Sequence, residues 1–269
     1  MHDDTRSRHT HTRPAIAHSP ATRRTINVDG LVNARDLGGL HRTDGTTTPS
    51  GVFFRSENVD WVTPLGWDQL YALGIRTVVD LRQPDERNRD TRTRPDWLTT
   101  TQVDLDGLDN RDFWAGYWDN GLVGTALYFL PHLTAMPERS GDVLRALADA
   151  PAGGVLFHCM GGRDRTGQIA MLLLAASDVE HDDIVDDYLE TVRLGEVRAA
   201  SANRNNAEPQ LEALCAASGT TTGGAFRQAL AGLDLATFFA ASGLDAGTVS
   251  TIRSWRGSLP SPQSPIPHR

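Results

Sequence analysis

Apolar and polar positions along the chain follow two rhythms. Short runs of β-branched and apolar residues bounded by turn formers predict buried strands at Gly51–Arg55, Thr77–Leu81 and Gly154–His158, and a more polar one at Thr101–Asp104. Between and after them, apolar residues recur at helical spacing. This predicts helices over Pro64–Leu73, stopped by Gly74, and over Val123–Met136, Gly141–Ala150, Gln168–Ala176, His181–Leu194 and Glu208–Ala217, with a helical series from Ala225 to Trp255. Strands interleaved with helices and followed by a helical C-terminal third indicate an α/β fold: a central, mostly parallel sheet flanked by helices.

The pattern fades at both ends. Residues 1–24 mix His, Arg, Thr and Pro with almost nothing apolar, and residues 257–269 alternate Pro with small polar residues, so both are expected to be disordered tails around one domain at 25–256. No run approaches the ~20 apolar residues of a membrane span, and the start lacks the apolar stretch of a signal peptide. With only Cys159 and Cys215 in the chain, no disulfide framework or CxxC metal site is available. A monomeric cytoplasmic protein without a stable membrane anchor is the expectation.

Charge narrows the chemistry. The net charge is −8, so nucleic acid is not an expected partner, and any anionic ligand must be captured locally. All 26 basic residues are arginines. Without a lysine the chain cannot be a Walker A nucleotide-binding protein, a kinase, a Schiff-base enzyme or a pyridoxal enzyme.

The most informative stretch is Val155–Ala175, in which an apolar strand ends at His158, a Gly-rich loop follows and an apolar helix begins near Arg165 or Thr166. Such a junction binds anions, because backbone N–H groups and the positive end of the helix dipole point into the loop. Cys159 opens this loop and Arg165 closes it with five residues between, giving Cys-x5-Arg-Thr. A thiolate is the nucleophilic form of cysteine, and helix N-termini beside cations favour it. The Arg165 fork suits bidentate binding of phosphate oxygens, and Gly161 and Gly162 allow close backbone approach. Met160, Gly161, Gly162, Arg163, Asp164 and Arg165 are therefore the candidate phosphate-binding residues. Thr166 is expected to donate to the Cys159 sulfur, and His158 to orient the loop.

Three other readings compete. A nucleotide P-loop fails because Gln168 stands where the motif needs lysine. A rhodanese-type sulfurtransferase also places a cysteine before a helix, but the Arg-Thr ending favours phosphate. A non-catalytic phosphate-binding module would not need the complete set of Cys159, Asp164 and Arg165.

The loop HCMGGRDRTG resembles the HCxxGxxRTG signature of cysteine-dependent phosphatases. Asn33–Gly39, Phe54–Ser56, Gly74–Arg82 and Asp187–Leu189, in that order, extend the resemblance to the bacterial tyrosine and dual-specificity protein phosphatases of the mycobacterial PtpB and Listeria LipA type. This resemblance implies hydrolysis of phosphotyrosine-type monoesters, with phosphoserine and phosphothreonine as further substrates. Phosphoinositides and small phosphorylated metabolites are the alternatives. Cys159 would be the nucleophile, with no cofactor and no metal. Asp164 is the first choice for the proton donor and Asp80 the second. Arg55 and Arg82, with Asp80, are read either as strand-end site residues or as structural pairs, while Asn33, Arg35 and Asp36 are expected to tie the first loop to the phosphate loop. Relatives carry lysine where this chain has Arg163, which places a fork at the rim and implies a changed substrate preference. The aromatic residues concentrated in 112–130 are expected either to join the core or to form a lid.

Overall fold

A computed structural model describes residues 24–88 and 92–257. The tails expected at 1–24 and 257–269 lie outside them, apart from Arg24 and Gly257. Arg24 belongs to the folded domain, with its guanidinium on the Asp187 carboxylate and the Asp36 carbonyl.

Five strands, β1 (Arg35–Asp36), β2 (Phe53–Ser56), β3 (Ile75–Asp80), β4 (Thr99–Gln102) and β5 (Gly154–His158), form one sheet in the order β1-β2-β5-β3-β4. Only the edge pair β1–β2 is antiparallel. The central strand β5 is buried on both faces, which explains its unbroken apolar run. Val155 and Phe157 face the larger core, together with Phe53 and Val79, while Leu156 faces a smaller one with Phe54 and Val78. Strand side chains alternate between faces, so one five-residue strand serves both cores.

Among the described residues, twelve α-helices surround the sheet: α1 (Pro64–Ala72), α2 (Pro84–Arg87), α3 (Arg111–Ala115), α4 (Phe129–Ala135), α5 (Pro137–Ala148), α6 (Asp164–Ala176), α7 (His181–Arg193), α8 (Gly195–Ser201), α9 (Glu208–Ala217), α10 (Thr222–Ala231), α11 (Leu235–Ala241) and α12 (Ala246–Arg253). The α/β class and the helical last third are as the periodicity predicts. Ten of the thirteen residues of α6 are buried, making it the central helix of the larger core.

Two predicted helices differ. The segment over 123–136 is a short turn at Ala126–Tyr128 followed by α4. The next helix starts at Pro137, where proline's fixed φ suits a first turn. Gly141 lies inside that helix because a Cβ there would meet the Ser242 carbonyl oxygen at 2.4 Å. Strand β1 and helices α2 and α3 were too short, and α8 too poor in apolar positions, to be predicted. Among the described residues no helix is long and apolar enough to cross a membrane.

Candidate active site

The carboxyl ends of β2, β5 and β3 lie side by side, with His158 registered against Ser56 on one side and Asp80 on the other. Loops leaving such ends converge, as in other parallel sheets. Residues 57–61 follow β2, residues 81–87 follow β3, and Cys159–Arg163 follow β5 before α6 begins at Asp164.

Outward hydrogen bonds set the loop's shape. The Met160 carbonyl accepts from the Asn58 backbone N–H at 3.0 Å and from its side-chain amide at 3.1 Å. The Gly161 carbonyl accepts from Asn33 at 3.4 Å and Arg198 at 3.3 Å, and the Gly162 carbonyl accepts from Arg55 at 2.8 Å. The Arg163 carbonyl accepts from the Gly167 N–H inside α6 at 2.9 Å. In a planar trans peptide the N–H points opposite the C=O. Four successive carbonyls held on the outside therefore turn the N–H groups of Gly161, Gly162, Arg163 and Asp164 to the concave side, where they add to the positive end of α6. Gly162 makes the turn at φ +68°, and a Cβ there would meet the Ser56 carbonyl oxygen at 2.5 Å.

Cys159 begins this bowl and is almost fully buried. Arg165, in the first turn of α6, is gripped by Glu86 at 2.9 Å and by Asp106 at 3.1 Å. Burial works against its charge, but these carboxylates outweigh burial and hold the guanidinium firmly protonated. Asp106 is itself pushed up, chiefly by burial. Neither Glu86 nor Asp106 stood out in the sequence.

The supporting residues sort by their contacts. The buried His158 ring donates through Nδ1 to the Cys159 carbonyl at 2.9 Å and is kept neutral chiefly by desolvation, so it orients the loop. Arg55 ties Gly162 to Asp187, which also accepts from Arg35 and Arg24. Asn33 and Arg35 join the same network, and Asp36 accepts from the Gly38 and Gly51 N–H groups instead. Asp80 is fully engaged by Arg82. Burial raises its proton affinity, but the Arg82 hydrogen bonds at 2.9–3.2 Å prevail and hold the carboxyl below its ordinary range. Arg82 also pairs with Asp60 at 2.6 Å.

Two expectations are corrected. The Thr166 hydroxyl is buried and forms no hydrogen bond with a described group, so the bond to the Cys159 sulfur is not made; helix geometry, rather than the loop, sets the direction of a first-turn side chain. Arg163 does not offer a fork at the rim. Its side chain is only 4% exposed, stacked near Tyr188 and held by Glu208 at 3.0 Å, by the Gly124 carbonyl and by Asp164 at 2.9 Å. Its backbone N–H remains part of the bowl.

The bowl opens into a cleft of about 710 Å³ walled by Glu57, Asn58, Asp60, Trp61, Glu86 and the α8–α9 segment. The aromatic stretch is mostly core. Trp114, Tyr128 and Phe129 are buried, with Trp114 Nε1 bonded to the Asp106 carbonyl at 2.9 Å, and only Val123 and Gly124 of residues 112–130 line the cleft. Among the described residues no three His, Cys, Asp or Glu side chains are grouped to hold a metal.

Comparison with known proteins finds a match to the model of a tyrosine phosphatase family over residues 26–255. A protein of Cupriavidus necator whose name describes a tyrosine-protein phosphatase is 33% identical over 184 residues, covering 66% of each chain. A tyrosine-protein phosphatase of Nostoc commune is 32% identical over 147 residues, 53% of this chain and 49% of that one. The triple specificity protein phosphatase PtpB of Mycobacterium tuberculosis is 29% identical over 189 residues, 60% of this chain and 67% of that one. The alignments thus span two thirds or less of the first two relatives' lengths.

Proposed function

Because the chain belongs to the tyrosine phosphatase family, we propose that it hydrolyses phosphate monoesters through a phosphocysteine on Cys159. The observation that carries this reading is the set of outward-held carbonyls from Met160 to Arg163, which leaves a ring of N–H donors around the thiol at the end of the central strand. A phosphate dianion fits such a bowl, and Arg165 supplies a bidentate grip on two of its oxygens. Glu86 and Asp106 preorganise that fork.

Cys159 Sγ attacks phosphorus in line. The S–P bond forms, the P–O bond to the leaving group breaks, and the leaving oxygen takes a proton from Asp164. Water then attacks the phosphocysteine and gives its proton to the Asp164 carboxylate, releasing phosphate and the thiolate. Asp164 is preferred over Asp80 as donor, because Asp80 is locked to Arg82 and held ionised. The chain's own groups supply every step, without a metal.

Phosphotyrosine-type esters are the proposed substrates, in keeping with the relatives' names. Phosphoserine, phosphothreonine, phosphoinositides and small phosphorylated metabolites complete the substrate panel. A thiol nucleophile must stay reduced, and both cysteines are free, which supports a reducing, cytoplasmic setting; a monomer is the proposed state. The test is hydrolysis of para-nitrophenyl phosphate in the presence of a chelator. The native chain should turn over and Cys159→Ser should not; a native chain with no activity refutes the proposal.

A further inference from the structure

Glu208, the first residue of α9, lies 45 residues beyond Arg163 in sequence, yet its carboxylate, only 11% exposed, packs against Arg163 of the phosphate loop. Arg163 Nε donates to both carboxylate oxygens at 3.0 Å, one of which also accepts from Arg198 Nη2 at 2.5 Å, and Arg163 Nη2 lies 2.9 Å from the other as an ion pair. Each arginine then reaches the loop. Arg198 donates to the Gly161 carbonyl, and Arg163 Nη1 donates to Asp164 Oδ1 and the Gly124 carbonyl. The close approach is built in: a Cβ at Gly195 would sit 2.6 Å from Glu208 Cγ, and the Asn206 side chain accepts from the Glu208 N–H at 3.0 Å.

The arrangement is a relay of position. Glu208 fixes the Nε and Nη2 edge of the Arg163 fork. A planar guanidinium fixed on that edge has its Nη1 direction fixed as well. Nη1 holds one oxygen of Asp164, leaving Oδ2 to carry the proton. We propose that Glu208 is a positioning residue for proton transfer, acting through Arg163 on Asp164. This rests on the reading of Asp164 as the donor.

Leaving-group dependence tests the proposal. Para-nitrophenolate leaves readily without a proton, whereas phenolate from phenyl phosphate needs one. Asp164→Asn should lower kcat/KM, which reports the steps up to departure of the leaving group, by about 100-fold or more for phenyl phosphate and much less for para-nitrophenyl phosphate. Glu208→Gln, which keeps the stem and loses the charge, should lower kcat/KM for phenyl phosphate about 10-fold and for para-nitrophenyl phosphate less than about threefold. Glu208→Asp, which keeps the charge on a shorter stem, reads the same selective loss if the Gln variant does not fold. If Asp164→Asn is leaving-group selective and neither folded Glu208 variant is, the positioning role is overturned while the donor reading stands. If Asp164→Asn is not selective, both fall together.

Discussion

Asp187 is the charge on which the loop's support converges, and Asp187→Asn is the sharpest test of that support. Its carboxylate accepts from Arg24 at 2.9 Å, Arg35 at 2.9 Å and Arg55 at 2.6 Å, and the last two guanidiniums are 1% exposed. Burial already brings Arg55 down to about 10. Neutralising Asp187 leaves these cations buried around an amide, and breaking a buried pair in this way costs roughly 3–5 kcal/mol. For a domain of this size that is a fall in Tm of about 6–20 °C.

The same pair has a pH signature. Burial raises the proton affinity of Asp187, but the three arginines prevail and hold the carboxyl far below its ordinary range. A depressed folded value gives stability that is fully present above the unfolded value of about 3.9 and lost as pH falls below it. Thermal melts of the native chain should therefore show a steep loss below about pH 4 that the variant lacks. Because Arg55 also holds the Gly162 carbonyl at 2.8 Å, kcat/KM of the variant should fall even at temperatures where it is folded. A Tm within about 2 °C of the native value at pH 7 would refute the reasoning, because it would mean that Asp187 is not the counter-ion its geometry makes it.

Other consequences can be checked in the same assays. Gly162→Ala forces a side chain onto a φ of +68° and against the Ser56 carbonyl, so kcat/KM should drop about 100-fold or more and orthovanadate should bind correspondingly more weakly. Asp80→Asn should lower Tm through the loss of the Arg82 pair, with no difference between phenyl and para-nitrophenyl phosphate; a selective loss would move the proton donor to Asp80. His132 is buried and held down to about 4, chiefly by desolvation. The unfolded chain binds its proton first, so stability should decline as pH falls from about 6.5 to 4, by an amount on the order of 3 kcal/mol, and His132→Gln should flatten that decline in acid denaturation curves.

Local chemistry was legible in the sequence wherever strand, loop and helix were consecutive. The run through β5, Cys159, Arg165 and α6 shows its anion-binding geometry in one stretch, because turn residues, spacing and periodicity are all short-range signals. What holds that stretch in place was not legible. Asn58, Glu86, Asp106, Arg198 and Glu208 come from four other segments, and ion pairs across such distances leave no local period. Helix α8, with the sequence GEVRAAS, shows only one large apolar residue, Val197, and that one is exposed, so nothing marked it as the wall that brings Arg198 to the loop. The Asp187–Leu189 motif stood in the sequence as part of a resemblance; its role became physical only once three arginines were seen on one carboxylate.

Arg163 shows how a correct local reading can assign the wrong direction to a side chain. Considered with the loop alone, its fork belongs on the rim with the phosphate; considered with α9, it belongs inside. Its three nitrogens spread over two edges, with Nε and Nη2 on Glu208 and Nη1 on Asp164 and the Gly124 carbonyl. A lysine ammonium offers its donors from a single atom on a flexible stem and does not fix two carboxylates relative to one another as a planar fork does. Arginine at this position therefore adds a fixed geometry to the positive charge that lysine would also supply. In a chain with no lysine, that geometry links the helical last third to the residue proposed to move the proton.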